Sequence, residues 1–253
     1  MSAVWVEVLR ARGSAPRDAG AAMRVTETGA EGTIGGGTLE HRAIAIARDM
    51  LRDGTDTATR TFPLGPGLGQ CCGGAVTLGF GRAPRPVDPV PVFPERATPA
   101  AGAPALWIWG AGHVGRAVVA ALPPAAFDVT WIDADRSRFP DPAPRHVDVV
   151  PAADMPRLAV RAPRSARHLV FTYSHDIDLA LCAALLRRGA AGIGLIGSDT
   201  KWARFSKRLR SMGLDPGAIT CPIGDKSLGK APMDIARGTV EALLAHSDIR
   251  AAS

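Results

Sequence analysis

A chain of 253 residues has room for two domains with cores of their own, at about 100 to 200 residues per domain. An apolar share of 46% beside 21% charged residues excludes disorder throughout, and four cysteines at 71, 72, 182 and 221 match no C-x-x-C zinc spacing. The net charge of +6 attracts an anionic ligand or an acidic partner, but scattered basic residues and a single tyrosine argue against nucleic acid.

The first residues, from Met1 to Glu7, have neither the basic start nor the apolar core of a secretion signal. No apolar run reaches the ~18 residues of a membrane span. The expectation is a soluble cytoplasmic protein that binds no membrane and keeps its cysteines as thiols.

In chain order, residues 4–9 alternate in the manner of a strand, and Arg12 to Gly20 is turn-rich. A hairpin follows, with strands over 22–26 and 32–35 and a turn over 27–31. Gly35-Gly36-Gly37 then opens a helix over 38–51, with apolar residues three and four apart and Thr38 as N-cap. A glycine-rich helix start aims several N–H groups at one point, so Gly36 and Gly37 are candidates for a phosphate; a tight turn with nothing bound is the alternative. His41 reads as a surface or capping residue. Strands are expected over 57–62 and 75–80.

Between the last two lies Leu64-Gly65-Pro66-Gly67-Leu68-Gly69-Gln70-Cys71-Cys72-Gly73-Gly74, in which five of eleven residues are glycine. Glycine serves where the backbone takes positive φ or approaches a ligand closely. Adjacent side chains of an extended segment point to opposite faces, so Cys71 and Cys72 face one ligand only if the chain turns between them. Burial as small apolar residues is the competing reading. Residues 82–104 then hold seven prolines, a semi-rigid linker with one edge strand over 90–93 at most. The domains are accordingly a smaller N-terminal α+β domain over 1–82, a proline-rich linker over 83–104, and a second domain over 105–253.

That second domain alternates strand and helix. A buried strand over 105–109 leads into Gly110-Ala111-Gly112-His113-Val114-Gly115, a helix follows over 116–122, and the next strand ends in Asp133, 18 residues past Gly115. This is G-x-G-x-x-G between strand and helix, with Gly110, Gly112 and Gly115 for a pyrophosphate and Asp133 for a ribose hydroxyl. Strands over 168–173 and 192–196 and helices over 176–188 and 198–212 complete a Rossmann-like, doubly wound parallel sheet. Loops at the strand C-termini are where such folds bind ligands. One carries His175 beside Asp176, an acid/base pair or a structural histidine; the other carries Ser198 or Asp199 as cap and Lys201 in the first turn, suited to a phosphate. Trp202, Phe205, Leu209 and Met212 read as a core face, and Arg204, Lys207, Arg208 and Arg210 as a solvated one. Cys182 and Cys221 read as core, and a last helix runs from Pro232 at its first position through Leu244.

Together, Arg12 to Arg17, Gly32 to Glu40, Gly69 to Gly74, Gly110 to Gly115 and Ile196 to Lys201 resemble the XdhC/CoxI family of xanthine dehydrogenase accessory proteins. Cys221-Pro222-Ile223-Gly224 with Gly229 to Pro232 resembles the xanthine dehydrogenase branch more than the carbon monoxide dehydrogenase one. The resemblance implies a non-catalytic chaperone of the molybdenum cofactor. Such a protein holds the cofactor during sulfuration by a cysteine desulfurase and passes it to apo xanthine dehydrogenase; a homo-oligomer is expected. Carried over, Cys71 and Cys72 are the cofactor-binding residues and candidate molybdenum ligands, with Gln70 and Gly73 beside them. Thiolates suit such a metal, and positive charge suits an anionic cofactor. Two rivals stand beside this reading. An NAD(P)-dependent oxidoreductase would use Gly110, Gly112, Gly115 and Asp133 with His175 as acid/base, and leaves the paired cysteines unexplained. A thiol redox protein would have to close a strained bond between adjacent cysteines.

Overall fold

The structure, a computed structural model, describes residues 2–64, 74–94, 98–190 and 192–251. It divides into two compact units, 1–90 and 91–253. Among the described residues no helix is long and apolar enough to cross a membrane.

The first unit is a five-stranded antiparallel sheet with one helix on it. Strands β1 (Val4–Arg12), β2 (Ala22–Val25), β3 (Ala30–Gly32), β4 (Ala58–Pro63) and β5 (Ala75–Gly81) take the order β3-β2-β1-β5-β4. Alternation in β1 sends Val4, Val6 and Val8 to one face, where the register sets Val6 against Met23 and Phe80 and Val8 against Leu78. Helix α1 (Gly37–Asp53) lays Leu39, Ala43, Ala47 and Met50 on that face, and these residues form one core. A bulge between Val8 and Arg10 leaves Leu9 exposed while β1 keeps its pairing as far as Arg12.

The second unit is a parallel sheet of six strands. They are β6 (Ala105–Trp109), β7 (Asp128–Asp133), β8 (Asp148–Pro151), β9 (Arg167–Val170), β10 (Ile193–Leu195) and β11 (Ile219–Thr220), in the order β11-β10-β9-β6-β7-β8. The chain starts at the centre with β6, winds outward to β8, crosses back to β9 and winds the other way. That order places a topological switch point between β6 and β9. Helices α2 (His113–Ala121) and α6 (Pro232–Ala251) cover one face, where Leu106, Ile108, Val118, Trp131 and Val240 pack. Helices α3 (Met155–Ala159), α4 (His175–Arg188) and α5 (Asp199–Ser211) cover the other, over Trp109, Ile132, Val170, Leu181 and Phe205. Both faces are buried, which is why β6 reads as an unbroken apolar run. The fold is therefore the expected one, a Rossmann-like doubly wound parallel sheet with a smaller N-terminal α+β unit.

Several local expectations change. The return strand of the first hairpin is Ala30–Gly32 and not 32–35, because Thr26 and Gly29 close a tight turn through Thr26 N–Gly29 O and Gly29 N–Thr26 Oγ1 bonds of 2.9 and 3.0 Å. Gly36, not Thr38, is the N-cap of α1, since φ values of 125°, 71° and 63° at Gly35, Gly36 and Gly37 turn the chain into the helix earlier. Residues 90–93 form no strand; Val90 and Val92 are exposed and Phe93 packs against Trp131 at 6.2 Å. Strand β8 and helix α3 were not anticipated, being short, and α6 runs on to Ala251.

The proline-rich stretch is held at several points. In the first unit, Arg17 pairs with Asp88 at 2.5 Å, Arg85 pairs with Glu7 at 2.5 Å, and Val87 fills the space over Gly32.

Candidate functional site

Gln70, Cys71, Cys72 and Gly73 lie outside the described residues; their immediate flanks do not. Leu64 N–H donates to Gly74 O at 2.8 Å, so the chain on either side of 65–73 is joined at the end of the β4–β5 hairpin. Gly74 permits no side chain, because a Cβ there would stand 2.2 Å from Arg12 O and 2.7 Å from Ser14 O. A Cβ on Gly35 would stand 2.5 Å from Pro16 Cγ, and Arg17 Nη1 donates to Thr33 O at 3.3 Å. The segment 12–17 thus touches both the flank of the cysteines and the glycine-rich start of α1. Two stretches far apart in sequence meet on it, and exposed Arg12 stands in register with Ala75.

The start of α1 already holds an anion of its own. Glu40 Oε2 accepts from Thr33 Oγ1 at 2.5 Å, Ile34 N at 3.0 Å and Gly36 N at 3.1 Å, in the manner of a capping carboxylate. The Gly36 N–H is therefore engaged by Glu40 within the chain.

In the second unit Ser198 caps α5 by accepting from Lys201 N at 3.2 Å. Lys201 turns inward and is 5% exposed, its Nζ bonded to Asp178 Oδ2 at 2.6 Å and to Ile196 O at 2.9 Å. Asp178 Oδ1 in turn accepts from Thr172 Oγ1 and Thr172 N at 2.6 and 3.1 Å. This satisfied buried pair ties the β9 and β10 loops together. His175 opens α4 edge-on to Phe205 at 6.3 Å, and burial, then Lys201, lower its pKa. Asp176 is 93% exposed and faces Arg208 at 3.9 Å.

Cys182 is fully buried and burial pushes its pKa up; the half-buried Cys221 is pushed up to about 11 by burial as well. Neither is a thiolate at neutral pH. Among the described residues no group of three or more His, Cys, Asp or Glu is placed to hold a metal ion.

The glycine loop after β6 sits at the switch point. Gly110, at φ 120°, passes so close to β9 that a Cβ would stand 2.4 Å from Phe171 O, and a Cβ on Gly115 would stand 2.0 Å from Gly110 O. Gly112 caps α2 with no side chain of its own and opens on a cavity of ≈ 240 Å³ lined by Ala111, Gly112, His113, Arg116 and Arg138. Asp133 is 1% exposed. Its Oδ2 accepts from Ala111 N at 2.6 Å, and its Oδ1 takes Ala134 N at 2.6 Å and stands 2.8 Å from Arg138 Nε. Sequence reasoning named Gly110, Gly112, Gly115 and Asp133 but missed Arg116 and Arg138. Arg116 directly follows Gly115 and was legible; Arg138 arrives only through the turn after β7.

The chain matches two family models, that of the XdhC and CoxI family over residues 2–63 and that of the XdhC Rossmann domain over residues 106–240. The uncharacterized protein YqeB of Escherichia coli (strain K12) is 23% identical over 258 residues, an alignment that covers 94% of this chain and 42% of YqeB. A crystal structure from Bacillus halodurans described as a xanthine dehydrogenase superposes with a TM-score of 0.48 and 17% identity, over 96% of this chain and 90% of that one. The structure of ChuY from E. coli CFT073 does so with a TM-score of 0.32 and 13% identity, over 55% and 65% of the two chains. With one match in each unit, and the Rossmann-domain match alone spanning more than half of the chain, the protein belongs to the XdhC family.

Proposed function

We propose that this protein is an accessory factor in xanthine dehydrogenase maturation, carrying the enzyme's molybdenum cofactor and taking no catalytic part itself. The observation that carries the reading is the family match along both units. The first unit supports it: the segment 12–17 brings the flank of the cysteine stretch, Gly74, and the start of α1, Gly35, onto one strip of chain. Cys71 and Cys72 would hold the cofactor, as soft thiolate donors suited to a thiophilic metal, with Gln70 and Gly73 beside them. Exposed Arg12, in register with the first residue of β5, favours an anionic ligand near that end of the sheet. When bound, the cofactor supplies the molybdenum centre that the target enzyme uses. This chain's own residues bind it, orient it and release it to apo xanthine dehydrogenase, with a cysteine desulfurase as the partner in sulfuration and a homo-oligomer as the working state.

The test is molybdenum content and oxidised-pterin fluorescence of the full chain purified from a cofactor-competent host, beside Cys71→Ala and Cys72→Ala. Metal and pterin should co-purify with the parent and fall about tenfold or more in at least one variant, as expected for loss of a metal ligand or its support. Cofactor that stays in both variants would overturn the assignment of the thiols; a parent that never acquires it would overturn the carrier reading.

A further inference from the structure

The positive charge of the chain is gathered in one helix layer. Residues 155–213, which carry α3, α4 and α5, hold eleven lysines and arginines against three aspartates, while the whole chain nets +6, so the remainder of the chain is slightly negative. On the opposite face of the sheet α6 holds three acids and two arginines. Helix α4 packs against both α3 and α5, and Arg157 and Arg161 at the end of α3, Arg187 of α4, and Arg204, Lys207 and Arg208 of α5 are all exposed. The aspartates do not neutralise them. Lys201 takes Asp178, Lys226 takes Asp199 at 2.6 Å, and Asp176 stands 3.9 Å from Arg208.

A cation in the last turn of a helix complements its dipole, which accounts for Arg187 and Arg208. It does not account for Arg204 and Lys207 in the middle of α5. Arg204 lies three residues before Lys207 and four before Arg208, spacings at which like charges repel and weaken a helix. An acidic surface laid over α5 would relieve that repulsion. Two apolar side chains narrow the partner: Val160, between Arg157 and Arg161 in the chain, is 52% exposed, and Met212, past the end of α5, is 43% exposed. Apolar points among arginines suit a protein contact, whereas a phosphate backbone offers nothing apolar to cover them. The three helices present no exposed aromatic ring on which a base would stack.

We propose that the α3–α4–α5 layer is a docking surface for an acidic protein surface, with Arg204, Lys207 and Arg208 as its charged stripe and Val160 and Met212 as its apolar contacts. Helices of a parallel sheet end near the N-terminal edge of the strands, so a partner held by Arg161, Arg187 and Arg208 leaves the ligand-binding edge open. The identity of the partner rests on the maturation reading, which makes it apo xanthine dehydrogenase.

The experiment measures binding of the full chain to immobilised apo xanthine dehydrogenase at low and at physiological ionic strength. The parent is compared with Arg204→Glu/Lys207→Glu and with Arg42→Glu/Arg60→Glu, which makes the same change in net charge at exposed positions of the first unit. Affinity should fall about tenfold or more in the α5 variant, most at low salt, and by less than about threefold in the other. Glutamate at both positions of α5 relieves the repulsion with Arg208, so a melting temperature no lower than the parent's excludes unfolding as the cause. Unchanged affinity in the α5 variant, or equal losses in the two variants, would overturn the docking surface and leave the maturation reading standing. A parent that does not bind the apo enzyme would overturn both the surface and that enzyme as partner, while cofactor co-purification remains a separate result. A DNA duplex or phosphatidylserine vesicles bound by the parent and lost in the α5 variant, with apo-enzyme binding retained, would assign the face to nucleic acid or membrane and overturn the proposal.

Discussion

Gly112 and Gly115 stand three residues apart at the start of α2 and answer to different constraints. At Gly115 a Cβ would sit 2.0 Å from Gly110 O, a backbone atom that cannot swing aside, whereas at Gly112 it meets open space. Gly115→Ala should therefore cost about 3 kcal/mol of stability by overpacking, against about 1 kcal/mol or less for Gly112→Ala at an N-cap. Denaturant unfolding of the two variants checks this, and equal midpoints would contradict it. The motif alone does not reveal such a difference, because G-x-G-x-x-G specifies residue types and not which glycine is packed against backbone. Lys201 is a similar case. As a first-turn lysine it reads as a ligand for phosphate, but Asp178, 23 residues away in the chain, holds it from a neighbouring helix.

At the scale of elements, β6 and β9 lie side by side and bury a hydrogen-bonded Trp–His pair, of which the histidine titrates. Trp109 Nε1 donates to His168 Nδ1 at 3.3 Å, and His168 is 1% exposed. Burial lowers its pKa from 6.5 to about 4, so the folded protein keeps the imidazole neutral. Above pH 6.5 both states are neutral and the contribution to stability is complete. As pH falls through the window from 6.5 to about 4, the unfolded chain binds a proton that the folded chain refuses, and stability drops by about 2 kcal/mol at pH 5. His168→Gln, which keeps an acceptor for Trp109, should flatten the stability profile between pH 7 and 5. A variant as pH-dependent as the parent would place the titration elsewhere. The elements themselves were largely legible. Alternation marked β1, three-and-four spacing marked α1, and unbroken apolar runs marked the central parallel strands. Those missed, β8 and α3, are too short to carry a period.

At the scale of the whole molecule, each unit has apolar clusters of its own: one in residues 1–90, and one on each face of the sheet in 91–253. A unit with its own core is expected to fold by itself. The fragment 91–253, produced alone, should melt in one cooperative transition. A fragment without a cooperative transition would show that its stability depends on residues 1–90.

What the sequence determined by itself was whatever depends on neighbours along the chain: the periods of strand and helix, the strand-loop-helix context of Gly110 to Gly115, and the family resemblance that both matches bear out. What the tertiary structure decided was how charges are spent. Glu40 accepts from Gly36 at the start of α1, Asp178 takes Lys201, and Asp133, expected at a ribose hydroxyl, accepts from Ala111 in the glycine loop. Sequence spacing cannot give that result, because a carboxylate or a cation is used by the nearest partner in space, and the nearest partner is set by how distant segments fold together.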